Sequence, residues 1–200
     1  MVDLTGLNSL TTTSLTYATD NTFSFNGSSN YILVANSTSL QVADTFTISV
    51  WIYATTLSNR YGVFSTRTNN ASGCWQLEVG TGSAATGTNL GRLAITGVGT
   101  WIFESSDNAI NINQWYNVCF VKPNNATQGG IMYVNGASIS AAQTTAYTIL
   151  NNSDAKSIGC GSSLGQQFPG RISNIQFYNR ALTSDEIKQN FNSLRPKYGI

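Results

Sequence analysis

The sequence contains no histidine in 200 residues, which removes imidazole-ligated metals and every catalytic scheme built on a His base. Charge is scarce as well. Asp, Glu, Lys and Arg make up 10% of the chain, against about 25% in ordinary soluble domains. The surface must therefore be covered by Ser, Thr, Asn, Gln and Gly. Two kinds of protein fit that description: an extracellular-type β domain, and a domain packed against protein neighbours, where unpaired charge is costly to desolvate. The cations are scattered singly and the net charge is +1. No basic stripe exists to neutralise phosphates, so nucleic acid is not an expected partner. No apolar run is long enough to span a membrane, and the N-terminal stretch lacks the basic start and apolar run of a secretory signal. Neither a membrane partner nor signal-directed secretion is expected. Three cysteines, Cys74, Cys119 and Cys160, are widely spaced with no CxxC. That argues against a disulfide framework and leaves three thiols, or one bridge and one thiol. Cys119, between Val118 and Phe120, reads as a small buried hydrophobe.

What the chain does have is period-2 alternation, the signature of strands. In WYNVCFVK, Tyr116, Val118 and Phe120 point one way and Trp115, Asn117, Cys119 and Val121 the other. Its partner IMYV runs into Asn135-Gly136, two residues that tolerate the positive φ of a type I′ turn, so a hairpin closes there. FTISVWIYA sets Phe46, Ile48, Val50 and Ile52 against Thr47, Ser49, Trp51 and Tyr53, and reads as a central strand. YGVFSTR and CWQLEVG are expected to pair, with Trp75, Leu77 and Val79 on a core face. In TWIFES, alternation places Trp101 and Phe103 on one face and Ile102 and Glu104 on the other. In GRISNIQFYN the apolar parity slips, which predicts a bulge near Ser173.

One helix is expected, over residues 183–194. Thr183 and Glu186 stand at capping-box spacing, Asp185 and Glu186 favour the N-terminal end of the dipole, and Ile187, Phe191 and Leu194 form a docking stripe. Pro196 ends it. The domain reading is an N-terminal arm over 1–20, laid on the body or on a neighbour, and one all-β domain over 21–200 that includes this helix.

Three motifs in order, FTISVWIYA, QWYNV…IMYVNG and GRISNIQFYNRALTSDEI, resemble the laminin-G-like branch of the concanavalin A-like lectin/glucanase family, of the kind found in tailed-phage virion proteins. The resemblance covers roughly residues 20 to 190. It implies a two-sheet antiparallel jelly-roll sandwich with a short C-terminal helix. It implies no particular activity, because one scaffold carries lectins, hydrolases and adhesion modules. The ending after the helix, RPKYGI, is similar to laminin-G-type proteins of viruses. Many relatives hold a calcium ion on the rim. Here Asn26 and Asn30, and Ser173 and Asn174, stand where such relatives often have acids. Neutral oxygens make a weak site, so neither a metal nor another cofactor is expected, and calcium should bind no tighter than the millimolar range.

Glycoside hydrolysis needs two carboxylates facing across a cleft. The nine acids are isolated along the chain, Glu104 and Asp107 being the nearest candidates, and no enzyme is expected. Carbohydrate recognition needs an exposed aromatic with polar partners. Trp101, Tyr61 and Trp115 are available, with Arg60, Arg67 and Asn69 near a loop. The ligand-binding candidates are Trp101, Tyr61, Arg67 and Asn69; packing in or under a sheet is the alternative role for each aromatic. The leading expectation is a non-enzymatic virion surface protein, a capsid decoration protein or head or tail appendage. It would be assembled in the host cytoplasm, contact the major capsid protein, adhere weakly to a host glycan and form a homo-oligomer. The alternative is a carbohydrate-binding lectin module of a cell-surface or secreted protein, with a hydrolase remnant third.

Overall fold

Alternation of the kind seen in Phe46–Ala54 lets one face of a strand enter a core while the other meets a second layer or solvent. The computed structural model describes residues 8–20, 22–41, 45–66, 71, 73–83, 90–124 and 129–200. Within these the chain forms β1 (Leu10–Thr13), β2 (Thr16–Tyr17), β3 (Phe23–Asn26), β4 (Tyr31–Val34) and β5 (Phe46–Ala54). There follow β6 (Arg60–Ser65), β7 (Trp75–Gly80), β8 (Arg92–Gly97), β9 (Thr100–Ser105) and β10 (Trp115–Lys122). The last strands are β11 (Ile131–Val134), β12 (Ala137–Ile139), β13 (Ala141–Gln143), β14 (Lys156–Ile158) and β15 (Pro169–Tyr178), and the helix is α1 (Ser184–Leu194). An eight-stranded sheet runs β1-β4-β14-β6-β7-β8-β9-β13, and a seven-stranded sheet runs β12-β11-β10-β5-β15-β3-β2. The pairings are antiparallel. This is the jelly-roll sandwich with one short helix.

Between the sheets lie the apolar faces that alternation assigns. Phe46, Ile48, Val50 and Ile52 meet Trp75, Leu77, Val79, Leu93 and Ile95 in one core, and Phe46 stacks on Trp75 with ring centroids 4.8 Å apart. Burying each such side chain contributes about 1.5–3 kcal/mol. Asn135 and Gly136 both take positive φ, 51° and 76°, as the hairpin turn requires. The register of β15 against β5 shifts between Ser173 and Gln176, where the parity slip predicted a bulge.

Two further bulges carry consequences for the outer surface. In β9 the clean alternation of TWIFES misleads. Phe103 lies opposite Ile95 and Trp101 opposite Thr96, which leaves Ile102 as an extra residue. Ile102 and Phe103 therefore both enter the core, 3% and 6% exposed, while Trp101 and Glu104 share the outer face. In β6 the register shifts between Gly62 and Phe64, and Val63 and Phe64 likewise both face inward.

The described part of the 1–20 stretch is woven into the body rather than hanging from it. β1 is the outermost strand of the eight-stranded sheet, paired to β4, and β2 the outermost of the seven-stranded sheet, paired to β3. Ser14, at φ 47°, turns the corner between them, and Asn30 Nδ2 donates to the carbonyls of Thr13 and Ser14. At the other end, Thr183 Oγ1 accepts the Glu186 N–H and Glu186 returns to the Thr183 N–H. α1 docks Ile187 and Phe191 on the outer face of the seven-stranded sheet, where Cys119, Val121, Tyr133 and Trp51 wait.

Candidate functional site

α1 covers the seven-stranded sheet, whereas β6–β9 of the other sheet present a polar outer face. Register fixes its rows. Gly62, Glu78, Ala94 and Glu104 lie side by side across four strands, and Ser65, Gln76, Thr96 and Trp101 form the next row. Because Trp75, Leu77 and Val79 point into the core, Gln76 and Glu78 must point away from it.

Glu78 is only 1% exposed and is saturated with donors. Arg60 Nε and Nη2 reach its two oxygens at 3.0 and 3.1 Å. Thr96 Oγ1 donates at 3.2 Å, and Gln76 Nε2 donates as well. Satisfying a buried carboxylate this fully is what makes its burial tolerable. The same grip fixes Arg60, whose guanidinium carbon sits 4.3 Å from the centre of the Trp101 ring, a cation–π geometry. Gln76 Nε2 also donates to Gln166 Oε1 at 2.8 Å, so the network continues into the segment 161–168.

That segment lies directly on the sheet. Gly62 donates its N–H to the Gln166 carbonyl at 2.8 Å, and a Cβ on Gly62 would meet the Gly161 nitrogen at 2.3 Å, so only glycine fits beneath it. Its backbone is strained: Ser163, Leu164 and Gln166 hold φ of 51°, 59° and 54°. Left-handed conformations cost non-glycine residues about 1–3 kcal/mol each and concentrate at functional sites.

Beyond Ala94 in the row of Glu78 stands Glu104, which with Asp107 was the nearest candidate acid pair in the sequence. Arg92 grips both, with Nη1 3.2 Å from Glu104 and Nε bonded to Asp107, and Ser83 donates its N–H and hydroxyl to Glu104. Folding thus gathers acids that are far apart in sequence, and each is clasped by an arginine.

Of the sequence candidates, Trp101 stands at this site. Tyr61 does not join it: it lies opposite Val79 and packs against the core from the other side of β6. Arg67 and Asn69 lie outside the described residues. Trp115 lies on the other sheet, tilted against Tyr53 and Tyr198 with the Arg171 guanidinium 5.3 Å away. Glu78, Gln76, Thr96 and Gln166 were missed. Polar residues alternating with a core stripe on a central strand are the signal that points to the first two.

A rim calcium does not fit these residues. Asn26 Oδ1 accepts the N–H groups of Ser28, Ser29 and Asn30, and Asn30 Oδ1 accepts that of Asn26. Ser173 Oγ accepts the Tyr198 hydroxyl. Among the described residues no group of three or more Cys, Asp or Glu side chains is placed to hold a metal.

The Laminin_G_3 model of the Concanavalin A-like lectin/glucanases superfamily matches residues 26–188, most of the chain. The chain belongs to this superfamily. No curated protein matches it. Among solved structures this superfamily member is similar to domain 4 of AbnA, a GH43 extracellular arabinanase from Geobacillus stearothermophilus, in complex with arabinotriose. Identity there is 16%, the TM-score is 0.65, and 92% of this chain and 88% of that one are covered. It is also similar to the binding domain of Paraclostridial Mosquitocidal Protein 1, at 19% identity and TM-score 0.69, covering 96% of this chain and 49% of that one. The Botulinum neurotoxin serotype D binding domain matches at 17% identity and TM-score 0.69, with 96% and 48% covered. The chain spans about half the length of these toxin domains, and at such identities the likeness is one of fold.

Proposed function

We propose that this superfamily member is a non-enzymatic recognition module that binds a saccharide on the outer face of β6–β9. One observation carries the reading: Arg60 is immobilised between a bidentate, buried Glu78 and the Trp101 ring, which presents an aromatic edge and oriented N–H donors on one sheet face. Aromatic surface with fixed polar groups is what sugar recognition uses. The strained segment 161–168 beside it and the arabinotriose complex of the AbnA domain support the same reading. Binding without turnover is favoured because Glu78, Glu104 and Asp107 are each engaged by arginine, whereas a general acid must hold a transferable proton. The test is a glycan array read with the wild-type chain and with Trp101→Ala. Specific signals lost in the variant support the proposal, and hydrolysis of any arrayed glycan overturns its non-enzymatic part.

We further infer that the module is displayed on a virus particle, held there by protein contacts with the shell. The charge-poor composition and the helix followed by RPKYGI support this placement. Mass spectrometry of density-purified particles from the source lysate tests it: a fixed copy number relative to the major shell protein is expected, and absence from the particles would overturn it.

A further inference from the structure

The way Glu78 holds Arg60 also determines which part of the guanidinium is left over. A guanidinium has five N–H donors in a rigid planar fork. Glu78 takes the side edge, through Nε and Nη2. Nη1 and the second hydrogen of Nη2 form the end edge, and neither has a partner among the described residues. That edge has the spacing of a bidentate carboxylate contact, and the guanidinium carbon lies 4.3 Å from the centre of the Trp101 ring. The Arg60 side chain is one-third exposed.

A second donor belongs to the same network through Gln76. Gln166 turns its oxygen to Gln76, which leaves its Nε2 hydrogens unpartnered among the described residues. The acceptors of the network are enclosed, the Glu78 carboxylate fully engaged and the Gln76 oxygen buried without a partner, whereas Arg60 and Gln166, which carry its unpartnered N–H donors, are each partly exposed. A ligand meeting this face must bring acceptors. The carboxylates of Glu104 and Asp107 share the single guanidinium of Arg92.

Resting on the saccharide reading above, we infer that the ligand is an acidic saccharide whose carboxylate docks on the end edge of Arg60, with the Gln166 amide as a specificity-determining donor. A uronate and a sialate share this chemistry. Isothermal titration of the full chain with trigalacturonic acid and its methyl ester, and with sialyllactose and lactose, tests it and separates the two sources. At least one acid should bind tenfold or more tighter than its neutral counterpart. Arg60→Lys keeps a positive charge over Glu78 but loses the fork, and should weaken the acid tenfold or more and its neutral counterpart by a smaller factor. Gln166→Ala should weaken the acid severalfold, thermal melts confirming that both variants fold. Trp101-dependent binding of neutral glycans at least as tight as that of either acid would overturn this inference and leave the saccharide reading standing. Absence of binding to every glycan on an array would overturn both.

Discussion

Glu78 shows how much one residue organises here. Four donors converge on a carboxylate almost removed from water, so Glu78→Gln leaves Arg60 short of its counter-charge and turns an acceptor into a clashing donor. A loss of about 1–3 kcal/mol in urea unfolding is expected, the usual cost of leaving buried polar groups unmatched. Glu186 offers a pH test. The Arg180 guanidinium, and then the Thr183 N–H, hold its carboxyl down from 4.5 to about 2. A group whose value is depressed on folding contributes stability above its unfolded value and loses it on acidification. The cap of α1 should therefore be intact above pH about 4.5 and weaken as pH falls through about 2. NMR titration of the Glu186 side chain checks this, and a midpoint near 4.5 would refute it.

At the scale of elements, segment 161–168 and β6 stand or fall together through Gly62. Gly62→Ala drives a methyl into the Gly161 backbone, and overpacking of this kind costs about 1–3 kcal/mol. Hydrogen exchange should quicken in 161–168 first, because the Gly62 N–H that anchors the Gln166 carbonyl is displaced. Elements whose residue types specify their own geometry were legible beforehand. Asn135-Gly136 announces its turn, Thr183 and Glu186 their cap, and the parity slip before Ile175 its bulge. The bulge at Ile102 was not legible, since TWIFES alternates without a flaw and only cross-strand register reveals the extra residue. The site was half legible for a related reason. Parity tells that Gln76 and Glu78 leave the core, but not that Arg60, Trp101 and a segment some ninety residues away in sequence meet them there.

The whole molecule is a sandwich with unlike outer faces: one carries α1 and an aromatic cluster, the other a polar network. Its three thiols report on its integrity. Cys74, Cys119 and Cys160 are buried and free, and burial pushes the Cys119 thiol up to about 12 and raises the other two. Thiolates are the reactive form, so at pH 8 labelling by a disulfide reagent should proceed only through unfolding. Its rate should track global unfolding as urea is added, and rapid labelling of the native protein would show that the sheets separate locally.

The central claim is that ligand meets the outer face of β6–β9. The four tryptophans lie in different surroundings: Trp75 in the main core, Trp51 under the C-terminal segment, Trp115 on the opposite sheet and Trp101 against Arg60. The most direct measurement follows their indole N–H signals by NMR as an array-selected glycan is added. The account predicts a saturable shift of the Trp101 signal while those of Trp51, Trp75 and Trp115 stay in place. Movement of Trp115 with Trp101 unchanged would put the ligand on the other sheet and contradict it.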